Sequence, residues 1–369
     1  MKRILSWLAA LTLTASAAHA GGIDRSGQSI GALFENGSYA ELSFGQVMPS
    51  VSGNDVAAFG GGASGNVAAD YSQLGLAFKT DLSERLSAAL ILDQPFGADV
   101  TYAGTSVALG GTSALADTNA LTALLRYKLD NGISVHGGLR VQTSRANIDL
   151  RGAAYGPLSG YTVDLASNTA TGYVIGVAYE KPEIALRVAV TYNSAIAHNF
   201  DTLETLGAAT IGIAPTRVKT PQSVNLDFQS GIAANTLIFG QIRWADWSAF
   251  RLDPAAFTGA AGSGLIDLDD STTYSLGVGR KFNDTWSGAL SFSYEAEGNP
   301  LVSPLAPTNG KIGVTLAGIY TSNNMKISTG VNYTKLGDAQ PETGTPDTAR
   351  ANFSGNSAVG VGVKVSFSF

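Results

Sequence analysis

The chain has no cysteine, so no disulfide staples it and no lipid can be attached to an N-terminal thiol. After residue 20 it offers no run of 18 apolar residues, which excludes a membrane-spanning helix. Charge is sparse, at 14%, and its balance is acidic, whereas a nucleic-acid partner would want a basic face. No proline precedes Pro49. Past residue 20, histidine is reduced to His136 and His198, neither in a recognisable catalytic spacing.

Residues 1–20 read as a secretory signal peptide. Lys2 and Arg3 precede an apolar run from Ile4 to about Ala15, and Ala18-His19-Ala20 supplies a small-x-small cleavage pattern. Its removal takes the formal charge from −6 to −8. Residues 21–37 are then a short lead segment, and 38–369 carry the fold.

What is present is alternation. The chain ends VGVGVKVSFSF, with Val359, Val361, Val363, Val365, Phe367 and Phe369 on one face and Gly360, Gly362, Lys364, Ser366 and Ser368 on the other. That is the period of a strand, carried to the last residue. The pattern recurs near 38–48, 69–79, 85–95, 118–129, 133–147, 167–180, 184–198, 217–230, 236–249, 271–282, 285–297, 310–320, 325–336 and 356–369, which makes fourteen strands. Short turns such as Asp130-Asn131-Gly132 and Lys181-Pro182-Glu183 alternate with long Gly/Ala/Ser/Thr-rich loops.

An even strand number with seven long loops and six tight turns is the layout of an all-β, antiparallel up-and-down transmembrane barrel. No amphipathic helix is available to cover so much apolar sheet, so outer-membrane lipid is its partner. Tyr127, Tyr179, Tyr192, Trp244, Phe282, Trp286, Tyr320, Tyr333 and Phe369 stand near strand ends and would form interfacial girdles. The last strand would close against the first. A location in the outer membrane of a Gram-negative bacterium follows from export plus barrel.

On these registers Arg126, Lys128, His136, Arg140, Arg187 and Arg243 face the lumen, with Asn225 and Asp227 on a neighbouring wall. They serve as a crosslinking network or as partners for a ligand carboxylate. Ile148, Leu150, Tyr155, Leu158 and Tyr161 in the third long loop, and Phe200, Leu203, Leu206, Ile211 and Ile213 in the fourth, form either a landing groove for lipid-like molecules or a loop cap. Asp267, Asp269 and Asp270 lack the glycine and glutamate of a calcium loop and read as a solvated rim. GGGASG at 60–65 has no strand–helix context for phosphate binding. No cofactor is called for.

DQPFGADVTY at 93–102, TPQSVNLDFQSGI at 220–232, TLIFGQIRWADWS at 236–248, SPLAPTNGKIGVTLAGIY at 303–320 and NMKISTGVNYTKLGDA at 324–339 resemble the long-chain fatty-acid outer-membrane transporter family, FadL and the related aromatic-hydrocarbon channels. The resemblance implies a barrel plugged by an N-terminal hatch, a monomer, and passive uptake of hydrophobic small molecules, long-chain fatty acids foremost. It implies landing between loops and sideways exit where the third strand kinks, here at Gln94, Pro95, Phe96 and Gly97. A terminal Phe369 resembles the signal read by the barrel assembly machinery. The chain departs from the family at residues 21–37, shorter than the usual hatch and without its Asn-Pro-Ala stretch, which puts gating by the N-terminus in question. A general diffusion porin shares the alternation, and a barrel-wall lipid hydrolase would centre on His136 and a neighbouring serine.

Overall fold

A computed structural model describes residues 23–369; the predicted signal peptide lies outside the described residues. Fourteen strands form a closed antiparallel barrel. They are β1 (Tyr39–Ser50), β2 (Tyr71–Asp81), β3 (Leu86–Asp93), β4 (Ser113–Lys128), β5 (Ile133–Leu150), β6 (Tyr161–Lys181) and β7 (Leu186–Asn193). There follow β8 (Ser223–Ala233), β9 (Thr236–Ala245), β10 (Ser271–Lys281), β11 (Trp286–Glu295), β12 (Asn309–Ser322), β13 (Met325–Gly337) and β14 (Ser357–Ser368).

Closure joins the last of these strands to the first. β14 pairs with β1 from Tyr39↔Ser368 to Ser50↔Ser357, and the backbones of Ser38 and Phe369 exchange hydrogen bonds of 2.9 and 3.1 Å. Period two then sorts the side chains: Leu42, Phe44, Val361 and Val363 lie exposed on the outer wall, while Tyr39, Val47, Gly360 and Ser366 are buried inside. Of the expected girdle, Tyr127, Tyr179, Phe282, Trp286 and Phe369 are exposed at the tight-turn end, with Trp286 edge-on to Tyr320 at 5.2 Å. Tyr192, Trp244 and Tyr333 sit toward the loop end, joined by Tyr173, Tyr274 and Tyr294. Trp286 and Tyr294 bound β11, about 27 Å of strand apart, enough for the apolar band of such a barrel.

Two departures from the expected strands matter. β4, β5 and β6 run to 16, 18 and 21 residues, so Ile148, Leu150 and Tyr161 lie on strand extensions rather than in loops. β7 and β8 are shorter than expected: the chain breaks at Ser194-Ala195 and again at Pro221-Gln222, and the segments Ile196–Phe200 and Thr216–Thr220 pair with each other as a separate ribbon. Pro221 has no N–H to give a ladder, which accounts for the second break.

Residues 23–37 run inside the barrel. A 3₁₀ turn, Gly31–Phe34, buries Ala32, Leu33 and Phe34 against the inward side chains Ala77, Leu124, Val174, Ala178 and Ala189. Phe34 lies under two guanidinium groups, Arg126 at 4.7 Å and Arg187 at 4.8 Å, and edge-on to His136 at 5.7 Å. Asp24 pairs with Arg243 at 2.8 Å, both 2% exposed, and Gln28 accepts from Ser223 and Arg243.

Breaking one partner of a buried ion pair strands the other, at a cost of about 3–5 kcal/mol. Asp24→Asn will therefore loosen the N-terminal segment while leaving a barrel that still migrates heat-modifiably. Ionic conductance of the reconstituted variant should rise severalfold above that of the parent; equal conductance would mean that this pair does not hold the segment.

Candidate ligand passage and loop cap

The barrel wall is interrupted at its third strand. β2 pairs with β3 only from Leu76↔Leu92 to Asp81↔Ser87; beyond that point Gln94-Pro95-Phe96 carries the chain off line, and it resumes as Gly97–Thr101 against β4. Pro95 offers no N–H, and its carbonyl accepts from Arg25 N at 2.8 Å. Gly97 N donates to the Ile23 carbonyl at 2.9 Å, and Asp24 bridges Phe96. The N-terminal segment thus takes the hydrogen-bonding place that β2 vacates. On the bared edge of β2, Leu74 N donates to the Gln94 Oε1 at 2.9 Å. Phe96 turns inward, edge-on to Trp247 at 5.4 Å.

At the loop end the connections pack into a continuous apolar cap. The ten loop residues singled out from sequence fall into three groups. Ile148, Leu150, Tyr161 and Phe200 are buried in it; Tyr155, Leu158 and Leu206 pack against it half-buried. Leu203, Ile211 and Ile213 are exposed on the hairpin formed by Thr202–Leu206 and Ala209–Ile213, with Ile213 80% exposed. Sequence reading missed Tyr102, Trp247, Phe257 and Phe353, which also fill the cap. It also missed Glu204, whose carboxylate accepts from Ala256 N (2.9 Å), Phe257 N (2.8 Å) and the Tyr161 hydroxyl (2.8 Å). That buried carboxylate fastens the hairpin to the helix α1 (Ala255–Ala261).

The expected lumen cations do face inward, and most are engaged. Arg126 donates to Ser134 and pairs with Glu180; Arg140 donates to Thr122 (2.8 Å) and Asn193 (2.9 Å). Arg243 holds Asp24, Ser223 and Asn225, and Asp227 accepts from Gln241 at 2.8 Å. Lys128 is half-buried at the end of β4. His136 meets Thr191, and His198 meets Gln142 and Asn168, so among the described residues neither histidine joins a serine and a carboxylate in a hydrolytic set.

Two cavities flank this machinery. One, of about 120 Å³, lies between the N-terminal segment and β1, β2 and β14; it reaches Gln94 at the break and is lined by Gly45, Gly75, Gly360 and Gly362. The second, about 490 Å³, lies among the loops beside Trp247 and is lined by Asp267, Asp269, Asp270, Glu297, Glu342 and Asp347. Among the described residues no group of His, Cys, Asp and Glu is placed to hold a metal ion. Burial pushes the Glu342 carboxyl up to about 7; Asp347 and Asp267 act in the same direction and Arg350 opposes them.

A closed barrel, apolar outside and polar within, occupied by its own N-terminal segment and opened at one strand, defines a transmembrane β-barrel of the outer-membrane type. The chain belongs to the outer membrane protein transport protein family (OMPP1/FadL/TodX), whose model matches residues 37–369. Its fold is similar to that of a Pseudomonas aeruginosa FadL homologue, with a TM-score of 0.72 at 12% identity over 96% of this chain and 97% of that one. It is similar also to the P. putida toluene transporter TodX, TM-score 0.64 at 15% identity over 92% and 94%, and to the Ralstonia pickettii toluene transporter TbuX, 0.62 at 13% over 92% and 94%. No curated protein matches the sequence.

Because the Glu342 carboxyl holds its proton to a higher pH when packed than when free, its contribution to the packed loop is present at low pH and lost as pH rises toward about 7 and beyond. Backbone amides of residues 338–350 should lose hydrogen-exchange protection between pH 6 and pH 8, after correction for intrinsic rates. In Glu342→Gln the difference should vanish. Equal protection at both values in the parent would sink this assignment.

Proposed function

We propose that the protein is a passive uptake channel for hydrophobic compounds in a Gram-negative outer membrane, with long-chain fatty acids as the leading substrates. The observation that carries this reading is the interrupted β3, its vacated pairing taken by the N-terminal segment. A hatch in that position closes a sideways way out and would open it by moving. Capture begins on the exposed Leu203, Ile211 and Ile213 of the fourth loop, and the ligand passes under the apolar cap bearing Ile148, Leu150, Tyr155, Leu158, Tyr161, Phe200 and Leu206. Partitioning supplies the drive, roughly 25 cal/mol per Å² of apolar surface removed from water, so neither nucleotide nor metal is needed. A segment packed within the lumen argues against a general diffusion porin, which keeps an open aqueous constriction. Two relatives in fold are toluene transporters, and this favours aromatic hydrocarbons as a second substrate class. The loops face the outside, Phe369 offers its terminal strand to the assembly machinery, and the barrel works as a monomer.

Cells lacking their own outer-membrane fatty-acid transporter should take up labelled oleate when this protein is supplied. Replacing Pro95 by valine, which restores a ladder N–H and favours an unbroken strand, should lower that uptake severalfold with barrel migration unchanged. Undiminished uptake in a folded variant would move the exit from the wall to the lumen, and no uptake by the parent would remove fatty acids as substrates.

A further inference from the structure

Residues 251–269, in the long connection between β9 and β10, form a strap across the apolar cap. Leu252, Phe257, Leu265 and Ile266 are buried in the cap, while Ala255, Gly259 and Ala260 of the same stretch are exposed. The strap is closed on itself: Leu265 N donates to the Leu252 carbonyl at 2.9 Å, and Arg251 pairs with Asp267 at 2.8 Å. Among the described residues, its hydrogen bonds to the rest of the chain are the two that Glu204 accepts, from Ala256 N at 2.9 Å and Phe257 N at 2.8 Å. The first amides of a helix have no intrahelical acceptor, and Pro254, at the head of α1, has no side-chain oxygen to offer them. The hairpin of the fourth loop supplies that acceptor. Gly212 on the same hairpin makes the fit possible, since a Cβ there would stand 2.8 Å from Glu204 Oε1 and 3.1 Å from the Ala256 Cβ.

Glu204 is fully buried, and no lysine or arginine among the described residues pairs with it. Its charge is held by three donors alone, the third being the Tyr161 hydroxyl at 2.8 Å. When the strap lifts, water reaches the carboxylate and both amides, so neither state leaves these groups buried and unpaired. What opposes lifting is apolar burial, above all of Phe257, whose ring centre lies 5.0 Å from that of Tyr161. An apolar solute in the cap can take the place of Phe257 against Tyr161. Such a solute binds the lifted state better than the closed one, which is the condition for a ligand to shift an equilibrium between them. We propose that the strap is the entry lid of the cap and that Glu204 is the positioning residue that latches it to the hairpin on which solutes land. This rests on the channel reading above and deepens it: solutes enter by lifting residues 251–269, and no standing pore leads into the cap.

Two changes act on the latch in opposite directions. In Glu204→Gln a donor faces a backbone N–H whichever way the amide turns, which releases the lid. In the Gly212→Cys, Ala256→Cys variant the two β-carbons come within reach of a disulfide after a small shift, and oxidation locks the lid. Full-length Glu204→Gln should exchange the amide hydrogens of Ala256 and Phe257 at least tenfold faster than the parent, with β9 and β10 unchanged. Cells carrying it should take up labelled oleate or toluene at least threefold faster at subsaturating concentration. The oxidised cysteine pair should take up at least tenfold less than its reduced form. Heat-modifiable migration of each variant reports folding. A normally migrating Glu204→Gln barrel that takes up no more than the parent, or less, makes the carboxylate a scaffold and overturns the inference, as does equal uptake by the oxidised and reduced pair. If the parent takes up neither oleate nor toluene, the channel reading itself fails and takes the inference with it. Uptake by the parent with a lock that changes nothing removes the inference alone.

Discussion

Every backbone amide and carbonyl at membrane depth must find its partner within the protein, because hydrocarbon offers none. The rest of the structure depends on this constraint. It turns fourteen alternating segments into one closed sheet, in which Phe369 and Ser38 exchange backbone hydrogen bonds. It also makes the break in β3 conspicuous. A strand that leaves its neighbour exposes two edges, and both are answered here: Pro95 and Gly97 pair with the N-terminal segment, and the β2 edge receives the Gln94 side chain.

The same substitution of partners ties the lumen to the wall. Residues that hydrogen-bond the break, Ile23 to Arg25, are continuous with Asp24 on Arg243 and with Phe34 under Arg126 and Arg187. Movement at the break thus has to disturb a buried ion pair to β9 and two cation–π contacts to β4 and β7. Charged networks of this kind add little net stability against an apolar filling, but they fix one arrangement among many. A short segment with only Ile23, Ile30, Ala32, Leu33 and Phe34 to bury gains its defined path from those charges.

Much of the fold was legible because period two is a local property, visible wherever valine and glycine or leucine and serine alternate. The break was legible for a local reason too, since Pro95 lacks a ladder donor. The failures are instructive. Ile148 and Leu150 read as loop because the stretch after them turns glycine-rich, yet the inward parity of β5 continues through both. Ser194 carried no breaking signal, and the ribbon that follows is set by its pairing with Thr216–Thr220. Glu204 on α1, Asp24 on Arg243 and Arg25 on Tyr71 join residues far apart in the chain, and no periodicity reports such contacts. The family resemblance covered the barrel, while the segment that occupies it lies almost wholly before residue 37, outside the matched region.

The account stands on the N-terminal segment closing the break in β3, and the absence of cysteine makes a direct test available. Asp24 and Phe96 face each other across an antiparallel bridge, a geometry within reach of a disulfide. In the Asp24→Cys, Phe96→Cys variant, uptake of a hydrophobic solute should fall to background when the pair is oxidised and return on reduction, the lost ion pair being common to both states. Equal uptake in the oxidised and reduced forms would contradict the account and leave the N-terminal segment as a fixed filling of the lumen.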